Sequence, residues 1–256
     1  MNSILIVSKR TDFKIRDNYI SRFKFNTPKV KKILTVSQKI KEIIDKDLIE
    51  DKSICVYSGI DKNKFVFEKP SLDLRKKLNL SVETKIIANT SALGDHKDYP
   101  TFIKVAKKFE SQENLKFLII GKGPLEDELK KLASSSQNII FTGHLNNIEE
   151  VIPQLDVFLI TSKEEGLGTS ILDAMACKIP VVATAAGGIP EIVKNNETGL
   201  LAPIGDTAKL VELVEQTLKN TNDTLNRVNN AYKMLCENFL KENTATKTHQ
   251  IYKSFL

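Results

Sequence analysis

Two acids with seven residues between them, Glu165 and Asp173, stand in the segment with the most chemical capacity, 162–177 (SKEEGLGTSILDAMAC). Glu165 stands just before a predicted helix, and Asp173 lies inside it, roughly one and a half turns on at ~1.5 Å per residue. Gly166 and Gly168 let the backbone approach a ligand closely. A helix starting there presents free N–H groups and the positive end of its dipole, which suits a phosphate. The plainer alternative is an ordinary strand-turn-helix with a capping acid. A second glycine turn, Gly187-Gly188, follows in 180–193 (PVVATAAGGIPEIV), with Pro190 suited to a first helical turn. Either turn alone is common; two side by side can enclose a diphosphate.

Such loops need elements to carry them. From residue 80 onward, apolar runs alternate with helical periodicity. Strands are predicted at 85–89, 115–120, 138–142, 156–160, 180–184 and 199–202, with helices at 98–109, 125–133, 148–152, 168–177 and 189–193. Asp206 is read as the cap of a further helix. Strands apolar on both sides, joined by helices, predict a parallel sheet with both faces covered. Ligands of such sheets bind beyond the carboxyl ends of the strands. The first 65 residues offer less: strands at 4–7, 32–36 and 54–57, a helix at about 17–24, and a helix from Gln38 capped by Ser37. Residues 66–80 read as a linker, and 223–256 as two helices broken near Asn238.

Composition excludes several classes. The 256 residues are 41% hydrophobic and 27% charged, enough for a globular core. No apolar run reaches the ~18–20 residues of a membrane helix, and the opening lacks a signal-peptide pattern, so a cytoplasmic setting is expected. Cys55, Cys177 and Cys236 are scattered, which suits free thiols in a reducing compartment. Little material is left for a structural zinc site. The net charge of +6 is concentrated early, at residues such as Lys9, Arg10, Lys24, Lys29, Lys31 and Lys32. A basic stretch suits a solvated surface or an anionic membrane. Nucleic acid is not expected, because the basic residues do not alternate with aromatics and Trp is absent.

The two glycine segments together resemble the glutamate–seven-residue–glutamate motif of family 4 retaining glycosyltransferases (glycosyl transferases group 1) and its "AMACGxPVVAT…GGxPEIV" continuation. Ser58-Gly-Ile-Asp61, Asp95-His-Lys-Asp98, Ile120-Gly-Lys-Gly-Pro124, Phe141-Thr-Gly143 and 199–206 match in order and spacing. Arg10-Thr-Asp-Phe13 and Val36-Ser37 look like the end of that family's acceptor domain. The resemblance implies a GT-B fold, with one complete Rossmann-like parallel-sheet domain and part of a second α/β domain. It divides the chain into an acceptor-side remnant (1–65), a nucleotide-sugar domain (66–238) and a crossover helix (239–256). Glu165 would contact the donor hexose and Asp173 the ribose. Lys97 would neutralise the departing diphosphate, and the backbone of Gly166, Leu167, Gly168 and Thr169 would bind the same phosphates. Loops near Gly121–Gly123 and Gly143–Leu145 would border the base, while Gly187 and Gly188 would complete the phosphate enclosure. Neither metal nor cofactor is implied, since the lysine and the helix end supply the positive field.

Three departures follow from that resemblance. Asp173 stands where the family has glutamate, Ala92 where many members have arginine, and only about 65 residues represent the acceptor side. The implied activity is retaining sugar transfer from a nucleoside diphosphate to a glycan or lipid-linked acceptor, in polysaccharide or lipopolysaccharide assembly at the inner membrane face. The basic N-terminal stretch would then serve peripheral contact with the anionic membrane. The alternative is an N-terminally truncated, non-catalytic nucleotide-sugar-binding module, or one half of a two-chain transferase.

Overall fold

The computed structural model describes residues 4–10, 19–65, 72–219 and 221–255. Thr11–Phe13 of the proposed acceptor-domain end, and the predicted helix start at Asp17, lie outside these residues.

The first third builds a three-stranded parallel sheet in the order β1 (Leu5–Lys9), β2 (Val30–Thr35), β3 (Ser53–Cys55). Between the strands run α1 (Tyr19–Asn26) and α2 (Gln38–Asp45). Ser37 caps α2 as predicted, its hydroxyl accepting the Ile40 N–H. Val30, Ile33 and Ile44 form a small core of their own, whereas Val36 and Ile40 join the core of the larger layer.

The rest runs α3 (Leu74–Lys77), β4 (Lys85–Thr90), α4 (Tyr99–Lys107), β5 (Leu115–Ile120), α5 (Glu126–Leu132), β6 (Ile139–Gly143), α6 (Ile148–Val151), β7 (Val157–Ile160), α7 (Thr169–Ala176), β8 (Val181–Thr184), α8 (Ile189–Ile192), β9 (Leu200–Ala202), α9 (Thr207–Leu218), α10 (Asn222–Asn238) and α11 (Lys241–Lys253). Its six strands are all parallel, in the order β6-β5-β4-β7-β8-β9. The order reverses between β4 and β7, where open α/β sheets leave a crevice at the strands' carboxyl ends. Alternate residues feed two cores. Ile86, Ala88, Leu118, Phe158 and Val181 pack with α7 and α10, while Ile87, Phe117, Val157 and Val182 pack with α4 and α9. Burial on both faces explains the unbroken apolar runs of the sequence.

One stretch departs from its sequence reading. Within 66–80, read as a linker, Asp73 caps α3 and Leu74 is fully buried. Arg75 holds the helix to the large layer through Asp156 at 3.1 Å and the Thr84 carbonyl. A single buried leucine is too little periodicity to read as a helix from sequence.

The C-terminal helices return to the small sheet. The Gly59 N–H donates to Thr244 Oγ1 (2.8 Å), whose hydroxyl donates to the Tyr57 carbonyl (2.7 Å). A Cβ on Gly59 would lie 2.1 Å from the Leu240 carbonyl oxygen, so this crossing tolerates no side chain. The cysteines Cys55, Cys177 and Cys236 are free thiols.

Candidate functional site

A cavity of about 850 Å³ opens beside the β4/β7 reversal, at the carboxyl ends of β4, β5 and β6. Its walls are Thr90–Ala92, Gly121-Lys122, His144–Asn146 and Ile148, closed by Thr169, Ser170 and Asp173 of α7. Each wall follows a strand or begins a helix, because only there do backbone groups escape the ladder and face a ligand.

Asp173 is half-buried on α7, and burial pushes its carboxyl up to about 6, an effect opposed by the Lys64 charge. Among the described residues, no hydrogen bond to the carboxyl offsets that burial. A carboxylate so placed accepts hydrogen bonds from hydroxyls that enter the cavity.

Lys97 and Glu165 do not line this cavity; they form a paired cation and anion at the loop between β7 and α7. Lys97 Nζ lies 2.5 Å from Glu165 Oε1, and Ser162 Oγ donates to the same oxygen at 2.9 Å. Their side chains are only 17% and 10% exposed, so the pair is largely withdrawn from water. Lys97 ends a short 3-10 turn, Asp95–Lys97, followed by Asp98 in the left-handed region. The Thr161 hydroxyl, just past β7, donates to the Lys97 and Asp98 carbonyls, and the Lys163 N–H donates to His96. The lysine turn is therefore fastened to the loop that carries Glu165.

The remaining predicted residues divide by what they touch. Gly121 and Thr169 reach the cavity wall alongside Asp173. Gly168 caps α7 with φ +86°, and Gly143 turns with φ +67°. Gly123 packs on the Leu93 backbone, and Leu167 is buried in the core. Gly166 meets the Arg10 carbonyl of the small layer. Gly187 and Gly188 press on the Glu165 and Gly166 carbonyls, where an added Cβ would sit 1.9 and 2.4 Å away. These last three glycines thus serve backbone-to-backbone contact. The two glycine turns do lie side by side, joined by a hydrogen bond from the Gly188 N–H to the Glu165 carbonyl (2.9 Å).

Sequence reasoning overlooked Ser91, Asn146 and Ser170 on the cavity wall, and Ser162 under Glu165. Lys122 lies within the 121–123 loop that the sequence reading set beside the base, and it lines the cavity. Ala92 does line the cavity, so the cation on that wall comes from Lys122 instead.

Comparison with known proteins agrees with this geometry. The family model "Glycosyl transferases group 1" matches residues 71–234. N-acetyl-alpha-D-glucosaminyl L-malate synthase of Bacillus anthracis is 28% identical over 204 residues, covering 78% of this chain and 53% of that protein. A GDP-mannose-dependent monoacylated alpha-(1-6)-phosphatidylinositol monomannoside mannosyltransferase of Corynebacterium glutamicum is 33% identical over 174 residues, 63% of this chain and 45% of its own length. This chain spans about half the length of these curated relatives. The crystal structure of Anabaena Alr3699/HepE with UDP-glucose superposes with a TM-score of 0.89 at 19% identity, covering 98% of this chain and 72% of that one. WaaG, a glycosyltransferase involved in lipopolysaccharide biosynthesis, superposes at 0.75 with 16% identity, over 89% and 64%. These likenesses identify the fold as GT-B, here a six-stranded Rossmann-like layer with a smaller α/β layer. With the family model matching well over half of its 256 residues, this chain belongs to the glycosyl transferases group 1 family.

Proposed function

We propose that the cavity binds a nucleoside-diphosphate sugar and that the protein transfers the sugar, with retention, to a glycan or lipid-linked acceptor. The observation that carries this reading is the half-buried Asp173 on a cavity wall shared with Gly121 and the start of α7, with the Lys97–Glu165 pair on the loop that leads into α7. In this reading Asp173 accepts from the ribose hydroxyls and Glu165 from the hexose. The diphosphate lies toward the N–H groups that open α7, with Lys122 and Lys97 as its cations.

The chemistry follows from the charges. When the sugar–phosphate bond breaks, negative charge grows on the diphosphate and positive charge on the sugar ring. Lys97 then exchanges part of its hold on Glu165 for the diphosphate, which frees Glu165 to face the positive sugar. The acceptor oxygen bonds to the anomeric carbon, and its proton leaves with the diphosphate. One donor aimed at such charge is worth about 3–4 kcal/mol of barrier.

The relatives support a nucleotide donor: one is named GDP-mannose-dependent, and HepE was solved with UDP-glucose. Relatives named for capsular polysaccharide and lipopolysaccharide synthesis support a cell-surface glycan pathway. We read 1–65 as acceptor-side, 66–238 as donor-side and 239–256 as the crossover. No described helix is long and apolar enough to cross a membrane. The basic N-terminal third suits peripheral contact with the anionic inner face. Calorimetric titration with UDP, GDP, UDP-glucose and GDP-mannose tests the donor assignment, and heat from none of them at millimolar concentration removes it.

A second reading draws on the small sheet. β1 is one of its two outer strands, paired among the described residues with β2 alone, and Ile4 and Leu5 at that edge are 45% and 47% exposed. An open edge accepts a further strand, so this chain works as the donor half alongside a separate acceptor half. Sugar transfer to a supplied acceptor by the isolated chain would refute this.

A further inference from the structure

Away from the cavity, one carboxylate joins the two sheets. Glu191 stands on α8, and its two oxygens accept the N–H groups of Gln38 and Lys39, each at 2.8 Å. Those are the first two amides of α2. The next is held by Ser37, whose hydroxyl takes the Ile40 N–H at 3.1 Å, and the Lys41 N–H then opens the regular helical ladder on the Ser37 carbonyl, also at 3.1 Å. Three of the four donors that a helix start leaves open are therefore satisfied, those of Gln38, Lys39 and Ile40. Two of them depend on a side chain more than 150 positions away in sequence. The carboxylate also meets the positive end of the α2 dipole.

The turn behind Glu191 has no slack. The Gly188 N–H donates to the Glu165 carbonyl, and a Cβ on Gly187 would meet that same oxygen. On its other side, a Cβ on Gly188 would lie 3.0 Å from the Ser37 Cβ. The turn is thus wedged between the cap of α2 and the backbone of Glu165 and Gly166. In packing this dense, a shift of one face displaces the other.

We infer that Glu191 is a positioning residue: it clasps the small sheet to the glycine turn and so sets where Glu165 stands relative to the donor sugar. This rests on the donor reading above and extends it to a residue that does not line the cavity. It ties the acceptor-facing layer to the group assigned to the hexose.

The test compares the full chain with Glu191→Ala and Glu191→Gln, titrated with UDP and UDP-glucose and with GDP and GDP-mannose. In both variants the affinity for the nucleoside diphosphate stays within about twofold, as expected for a distant site. The extra affinity contributed by the hexose falls about tenfold in Glu191→Ala, the value of one charge-assisted hydrogen bond. Glu191→Gln keeps the shape and one accepting oxygen, and falls between. Amide exchange on the same samples quickens roughly fivefold at Gln38 and Lys39 and also rises at Glu165–Leu167 in Glu191→Ala. An unchanged hexose contribution overturns the proposal. So does an equal fall in both affinities, which marks a general loss of structure. If the parent binds none of the four nucleotides, the donor reading fails and exchange alone judges the clasp: unchanged rates at Glu165–Leu167 overturn it, and faster rates sustain it.

Discussion

Asp173 illustrates how much one methylene and one environment decide. Burial raises its carboxyl from its ordinary 3.8 to about 6. The folded chain therefore holds this proton more tightly than the unfolded chain does. The group's contribution to stability is complete below about pH 4 and is lost as pH rises through 6. At pH 8, Asp173→Asn is expected to stabilise the fold by on the order of 2 kcal/mol. It should also weaken nucleotide binding, since the amide replaces one accepting oxygen with a donor and carries no charge. Thermal unfolding at pH 4 and pH 8 checks the first, and calorimetry the second. Binding by the parent should strengthen between pH 5 and pH 7 as the carboxylate forms, and the dependence should flatten in Asp173→Asn. A dependence that survives in that variant would assign the titration elsewhere. The second residue-scale expectation concerns Lys97. Removing one member of a buried ion pair costs about 3–5 kcal/mol. Lys97→Met should therefore lower the melting temperature and reduce turnover ~100-fold or more. Normal turnover would detach Lys97 from the chemistry. The acids were legible in the sequence because their spacing from the glycines is local. Ser162, which holds Glu165 at 2.9 Å, was not, since a serine beside a strand end carries no signal of its own.

At the scale of elements, caps and glycine turns behave differently. Asp206 caps α9 by accepting the Lys209 N–H at 2.9 Å, as the sequence led one to expect. Asp206→Ala should cost about 1 kcal/mol, a fall of roughly 2–4 °C in melting temperature. Gly187 has φ +50° and no room for a Cβ. Gly187→Ala should cost about 3 kcal/mol, or roughly 6–12 °C. If both variants melt alike, the wedge between the two glycine turns is absent in solution. The strands of the large sheet were plain in the sequence because double burial leaves continuous apolar runs. α3 was hidden, since four residues with one buried leucine make no period.

Over the whole molecule, the small sheet is held by contacts that cross the chain: Glu191 to α2, Gly166 to Arg10, and α11 to the exit of β3. Thr244 both donates to Tyr57 and accepts from Gly59. Thr244→Val leaves that N–H without its partner, at about 1–2 kcal/mol. Faster amide exchange at Gly59 and an earlier melt are the expected results; protection equal to the parent's would mean α11 is not fastened there. The sequence alone determined the alternation of strands and helices, the parallel sheet, the two caps and the glycine turns. Each of these is encoded within a few residues, by period, by burial or by a capping side chain. Tertiary structure decided the rest: the pairing of Lys97 with Glu165, the use of Gly187 and Gly188 as a wedge, and Glu191 as a distant cap. Those contacts join residues tens to more than a hundred positions apart. Their partners are chosen by strand order and by the meeting of two layers, and no local pattern records either.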